Sequence, residues 1–422
     1  MNGIENVLLV TVDCLRADRF REGIDAGLLP TFADLDARGT TFDDAFTVAN
    51  TTDPSLTSIL TGAYPMDHGV VENGWGLPAD RPVAAERFRE AGYNTFGVVS
   101  VDHLADDHSG LGCGFDRYFD GSAYGTLYPI LSRIYDTKGF NAVFGAVKDR
   151  GVGPYTVKRF LRRTGLIDLH CRPARKVTAD ARSGLEAVEE PFFGWVHYFD
   201  LHEPRNAPPG LRADHDEYTA AMIHADDHVG RLLDDLEERG LAEETLVVLT
   251  GDHGEALGDH GYTGHGRTLY DEELHVPLVF AHDSLPAGTV GRQARTVDIV
   301  PTLLSLSGLD PLGPAGRPLF ADGAPLAEDR PLFAMAYPTF EDRVALRTEG
   351  WKLVRDRGAG DEELYDLADD PGERRDLAGE HPERRGDLAA ELDDWLDEFD
   401  AVERQQVDSG TEEMLADLGY RE

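Results

Sequence analysis

Lysine is almost missing from this chain of 422 residues: Lys138, Lys148, Lys158, Lys176 and Lys352 are the full set. Acids are not scarce. Asp and Glu total 79 against 40 Lys and Arg, for a formal net charge of -39. That balance excludes a nucleic-acid binder working by phosphate neutralisation. Self-repulsion on this scale costs stability in dilute buffer, whereas multimolar salt shrinks the Debye length to ~3 Å or less. The acids run along the whole chain rather than forming one tail, so a salt-adapted cytoplasm is the expectation. Cysteine is also sparse. Cys14, Cys113 and Cys171 make an odd set and no disulfide framework. Long apolar runs are absent as well. The first, Val7 to Val12, is far too short to span a membrane, and no basic, apolar, small-residue leader precedes it. The expectation is a cytoplasmic protein with neither nucleic acid nor membrane as partner.

What is present suits a large α/β domain with a smaller unit appended. Asn6 to Val12 (NVLLVTV), Phe192 to Phe199 (FFGWVHYF) and Leu246 to Thr250 (LVVLT) read as buried parallel strands. Each is followed by acids or histidines: Asp13, Asp200 and His202, Asp252 and His253. Ligands of open α/β sheets bind at those strand ends. Tyr218 to Gly240 carries apolar residues at helical spacing, and Ser55 to Leu60 looks like a helix start behind Pro54. Alternating strand and helix predicts a doubly wound central sheet with helices on both faces. Residues 121–175 break the rhythm and read as an inserted helical segment. Beyond residue 335 a small α+β unit (336–422) is expected, with strands at Trp351-Lys352-Leu353-Val354 and Glu363-Leu364-Tyr365-Asp366 and a helix from Pro382 to Phe399.

Two constellations carry chemistry. Asp13 with Asp252 and His253 offers hard oxygens and one imidazole, a set suited to Mn²⁺, Zn²⁺ or Mg²⁺. An acid after a strand is also a common helix cap. The run Asp252-His253-Gly254-Glu255 followed by Gly258-Asp259-His260-Gly261 is more specific. The second constellation is Thr51-Thr52-Asp53-Pro54-Ser55 with Ser58-Ile59-Leu60-Thr61-Gly62. A hydroxyl at a helix start sits in positive potential and, beside a metal, becomes a nucleophile. Read alone, Thr52 or Asp53 is equally an N-cap.

Taken together these segments resemble the sulfatase family of the alkaline phosphatase superfamily, and within it the phosphonate monoester hydrolases. Asp13-Cys14-Leu15-Arg16-Ala17-Asp18 resembles the first metal motif. Thr52 to Gly62, with Tyr64-Pro65 and His68-Gly69-Val70, resembles the nucleophile helix. Leu249 to Val279 resembles the second metal motif and its sequel, and Glu363 to Leu367 with Asp370-Pro371 the C-terminal signature. The resemblance implies an alkaline-phosphatase-like fold and one divalent ion, Mn²⁺ or Zn²⁺ ahead of Mg²⁺ or Ca²⁺. It implies Asp13, Thr52, Asp252 and His253 as ligands, with Thr52 also the nucleophile. Asn73 matches a substrate-oxyanion contact and His202 a histidine near the leaving group. His265 stands in for a basic residue, often lysine, that contacts the anion. A core role for His202, and His260 or His275 in place of His265, are the competing readings.

The departures bear on substrate. Typical sulfatases oxidise a cysteine or serine to formylglycine where this chain has Thr52, and threonine cannot be converted. Leu56 replaces the arginine four residues on, and Cys14 replaces a second acid; a small buried residue is expected there rather than a thiolate ligand. Cys171-Arg172-Pro173-Ala174-Arg175 fits a bare formylglycine pattern but lacks the S-x-x-T-G helix that follows Thr52. A small anionic ester is therefore the expected substrate, phosphate or phosphonate ahead of sulfate. A true sulfuric ester hydrolase, a phospho-group transferase or isomerase, and a non-catalytic binding member are the alternatives. The sequence fixes no oligomeric state.

Overall fold

The computed structural model describes residues 3–121, 171–399 and 405–420, apart from 314, 327, 329, 337–341 and 349. The expected insertion, 121–175, therefore lies almost wholly outside the described residues. The strands of the two larger sheets are numbered here in chain order. Eight form the central sheet: β1 (Asn6–Val12), β2 (Thr40–Phe42), β3 (Asn94–Val98), β4 (Arg117–Phe119), β5 (Phe192–Tyr198), β6 (Thr245–Gly251), β7 (Leu278–Ala281) and β8 (Gly288–Val290). Their order is β8-β2-β7-β6-β1-β5-β3-β4. All pairs are parallel except those made by β7, which runs against β6 and β2, so the sheet is mixed.

Every residue of β1, β5 and β6 is buried. Alternate side chains enter separate cores: Val7 and Leu9 of β1 pack on one face, Leu8, Val10 and Val12 on the other. Helices cover both faces, which is why these strands read as continuous apolar runs. On one side lies α1 (Thr52–Thr61). On the other lie α2 (Ala174–Ala187) and α3 (Glu217–Glu238), the latter capped by Asp216 accepting from the N–H groups of Tyr218 and Thr219.

A second, four-stranded antiparallel sheet follows: β9 (Leu332–Met335), β10 (Arg343–Arg347), β11 (Trp351–Asp356) and β12 (Glu362–Asp366). Helix α4 (Pro382–Leu396) buries Leu388, Leu392 and Trp395 against it. Trp395 stacks on Phe333 of β9 at 4.6 Å and meets Tyr64 edge-on at 5.3 Å, so the two sheets share one apolar core. Strand β9 precedes the expected division at 335/336, and we propose to count it with the second unit. A last helix, α5 (Ser409–Leu418), also joins this core. No helix among the described residues is long and apolar enough to cross a membrane.

Candidate active site

The register of the central sheet creates the site. β1 lies between β5 and β6, with Val12 opposite Tyr198 on one side and Gly251 on the other. Asp13 and Asp252 therefore leave adjacent parallel strands at the same level. Cys14 then adopts a left-handed conformation, φ +57°, at a cost of roughly 1–2 kcal/mol for a residue with a Cβ. The turn directs the Cys14 N–H to Asp252 Oδ1 at 3.2 Å. The thiol is buried, and burial together with the Asp13 charge pushes its pKa well up. Its sulfur also lies within 4.8 Å of ligand atoms of His253 and His265.

Thr52 is brought to the same point by α1. The helix starts at Thr52, three residues before the expected Ser55. Pro54 sits inside the first turn, where its missing N–H costs nothing. Thr51, the capping residue, makes no side-chain cap. Instead the Asp53 N–H donates to Asn73 Oδ1 at 2.9 Å, so Asn73 caps the helix from outside. The Asn73 amide nitrogen, buried, makes no hydrogen bond.

Thr52 Oγ1 is 3.1 Å from Asp13 Oδ2 and 3.4 Å from His253 Nε2. Four of the sequence-expected residues thus converge: Asp13, Thr52, Asp252 and His253. All four are fully buried. Burial pushes Asp252 up to about 7, and burial plus the Asp252 charge pushes Asp13 well up. Asp13 Oδ1 and Asp252 Oδ2 receive no hydrogen bond. Two adjacent buried carboxylates are costly unless a cation balances them. His253 Nδ1 contacts the Gly254 carbonyl at 2.9 Å; donating there leaves the Nε2 lone pair facing Thr52, the orientation a metal ligand needs. Burial lowers His253 to about 4, keeping that lone pair available. The donor set therefore fits one hard or borderline divalent ion.

His202 and His265 stand on the open side. Their rings lie 5.2 Å apart, and His265 lies 4.3 Å from His253. His202 stacks on Phe199 at 4.3 Å and contacts the Glu203 carbonyl through Nδ1 at 2.6 Å. His265 Nδ1 faces the Asn50 carbonyl at 3.2 Å. Burial and nearby His253 hold its pKa well down, so it is a neutral imidazole rather than a cation like lysine. The rival histidines lie elsewhere: His260 pairs with Glu272 and stacks on Tyr270, and His275 stacks on Phe46. Glu273 holds this loop, accepting from Gly266 N at 2.9 Å and Asn50 Nδ2 at 2.7 Å. A cleft of about 720 Å³ opens in front, lined by His202, Arg205, Tyr262, His265, Arg267 and Tyr420 among others.

Three residues at this centre were not singled out in the sequence. His197 Nε2 approaches Asp13 Oδ2 at 3.9 Å, and Asp13, His197 and Asp252 present ligand atoms within 4.8 Å of one another. His103, beyond the carboxyl end of β3, bonds Asp53. Tyr420 Oη lies 3.0 Å from Thr52 Oγ1. The strand-end rule that found Asp13 would have pointed to His103; nothing in the sequence points to Tyr420. Cys171, the formylglycine decoy, forms an isolated bridge with Val101 and belongs to no cluster of metal-ligating groups among the described residues.

The central α/β sheet thus gathers two acids, a histidine and a helix-borne hydroxyl at its strand ends. Residues 5–309 match the Sulfatase family profile, and the chain belongs to that family. It is 25% identical over 409 residues to a sulfatase of Formosa agariphila, spanning 82% of this chain and 77% of that one. It is also 25% identical over 415 residues to the multifunctional alkaline phosphatase superfamily protein PehA of Trinickia caryophylli, covering 76% and 78% of the two chains. The phosphonate monoester hydrolase of Silicibacter pomeroyi shares the fold, with a TM-score of 0.70 at 23% identity over 93% of this chain and 95% of that one.

Proposed function

We propose that this sulfatase-family hydrolase cleaves phosphate or phosphonate esters, with Thr52 as nucleophile. The observation that carries the reading is Thr52 Oγ1, at the first turn of α1 and within 3.1 Å of Asp13 and 3.4 Å of His253. A divalent ion held by Asp13, Asp252, His253 and Thr52 would supply charge balance and lower the hydroxyl pKa. Asp13 accepts from the Thr52 hydroxyl, and His253 Nε2 lies 3.4 Å from the same oxygen, so the two hold it in place. Thr52 passes its proton to Asp13 and attacks phosphorus in line while the bond from phosphorus to the leaving oxygen breaks, forming a phosphothreonine that water then hydrolyses. Asn73 offers its unused amide N–H groups to oxygens that gain charge. His202 protonates the leaving oxygen. His265, neutral and tied to Asn50, shapes the anion pocket as a dipole rather than as a full charge.

Threonine in place of a formylglycine precursor favours phosphorus over sulfur within this frame. The test is a panel of aryl phosphates, phosphodiesters, phosphonates and sulfates in high KCl with Mn²⁺, Zn²⁺, Mg²⁺ or Ca²⁺. Wild type should turn over phosphorus esters most efficiently, and Thr52→Ala should abolish turnover while melting normally. Near wild-type activity in Thr52→Ala would sink the assignment, and a clear preference for sulfates would favour the sulfuric ester reading.

A further inference from the structure

The segment after the second sheet reaches back into the catalytic centre. Helix α5 starts at Asp408, whose carboxylate accepts from the N–H groups of Gly410 and Thr411 at 2.8 and 3.2 Å. It ends at Gly419, φ +94°, a left-handed position suited to glycine. The Tyr420 N–H then bonds the Leu415 carbonyl at 2.9 Å, which turns the chain inward. The helix is seated by buried Thr411, Met414, Leu415 and Leu418. It rests on the backbone of Gly74, where an added Cβ would lie 2.8 Å from Leu415 Cδ1. Ahead of it Gln405 clamps Gly76, accepting from its N–H at 3.0 Å and donating to its carbonyl at 2.9 Å. Gly74 and Gly76 belong to the loop that carries Asn73.

The result is a phenol placed over the nucleophile. Tyr420 is 2% exposed, and its Oη is 3.0 Å from Thr52 Oγ1. Its ring lies 5.4 Å from that of His202, 5.5 Å from His265 and 5.8 Å from His103. Leu418, Gly419 and Tyr420 form one wall of the cleft. A tetrahedral group attacked by Thr52 must bring its oxygens into the space that Tyr420 Oη borders. Among the described residues the arginines lining the cleft are Arg205 and Arg267, and Arg205 is paired with Glu203 and Glu255, so oxygens that gain charge call for a hydrogen-bond donor beside the proposed ion. A neutral donor close to the nucleophile answers that need.

We propose that Tyr420 is a substrate-contacting residue whose phenolic O–H donates to a non-bridging oxygen of the group being transferred to Thr52. This rests on the reading of Thr52 as nucleophile. The experiment compares Tyr420→Phe with wild type on an aryl phosphodiester, and titrates inorganic phosphate into Thr52→Ala with and without Tyr420→Phe. Phenylalanine keeps the ring, so melting should be unchanged. Loss of one donor to the transferred group should cut kcat/KM about 10²-fold or more and weaken phosphate binding about tenfold in the Thr52→Ala background. Unchanged kcat/KM and phosphate affinity would overturn the proposal. A rise in kcat/KM would overturn it too, identifying Tyr420 as a plug. An active Thr52→Ala protein would defeat the nucleophile assignment alone, because the phosphate titration still reads Tyr420.

Discussion

Asp53 and His103, fifty residues apart, meet at 2.5 Å with both side chains buried. The second Asp53 oxygen accepts from the Gly74 N–H at 2.6 Å, and His103 Nε2 makes no hydrogen bond. A carboxylate thus orients an imidazole whose ring sits beside Tyr420. The pair fixes a second imidazole beside the proposed substrate-contacting phenol. His103→Ala should lower kcat by roughly 10²-fold or more, the usual scale for a positioned acid or base. His103→Phe should match that loss while preserving packing. Steady-state kinetics on both variants, with melting curves, check this; full activity in His103→Phe would leave the pair a purely structural role.

The acids at the strand ends make cation binding visible in stability. Adding Mn²⁺ or Zn²⁺ to chelator-stripped protein should raise Tm, with about 2.7 kcal/mol gained at a hundredfold excess over Kd. Asp252→Asn should greatly reduce that gain, since it removes one charge of the pair formed with Asp13. Differential scanning calorimetry with and without metal separates the two outcomes. An equal rise in both proteins would place the ion elsewhere.

Lys352 shows what scarcity of lysine does not prevent. Fully buried in β11, it holds Asp271 and Glu373, each at 2.8 Å. Lys352 and Arg347 keep Asp271 well below the ordinary carboxylate range, so its contribution is present above about pH 4 and fades as pH falls below that. Burial outweighs Lys352 at Glu373 and pushes it up to about 7, so that group's contribution falls as pH rises from about 4 to 7. Lys352→Met strips the charge from both acids and should cost about 3–5 kcal/mol at neutral pH. In the variant Arg347 still holds Asp271, but Glu373 loses its cation and is pushed further up, so the native state binds more protons. The gap to wild type should therefore narrow as pH drops from 7 toward 4. Urea titrations across that range test the sign; a gap that widens on acidification would refute it.

The net charge of -39 sets an expected salt response. Raising KCl from tens of millimolar to multimolar should raise Tm steadily, as screening relieves repulsion. A flat or falling Tm would argue against salt adaptation.

Legibility differed by cause. Strands β1, β5 and β6 were readable because burial on both faces leaves an unbroken apolar run, and their bounds moved by a residue or less. The convergence of Asp13, Asp252 and His253 was readable because each follows the end of a central strand. The antiparallel course of β7 was not, since direction comes from the connection, and Leu278–Ala281 looks the same either way. The helix carrying Thr52 began early because Asn73, twenty residues on, caps it; no local signal announces a cap supplied from another loop. Tyr420 is the extreme case, an aromatic after a glycine whose role depends on α5 packing against Gly74.

The contact between Thr52 and Tyr420 closes a loop 368 residues wide. Such a contact is among the last to form and depends on many others being in place. Helix α5 is also a short unit whose local opening would withdraw Tyr420 from the nucleophile and Leu415 from the Asn73 loop together, without breaking the central sheet. The proposed contact of Tyr420 with substrate thus depends on the docking of one peripheral segment. Under mild denaturation, activity and global structure become separate quantities, with activity the first to go.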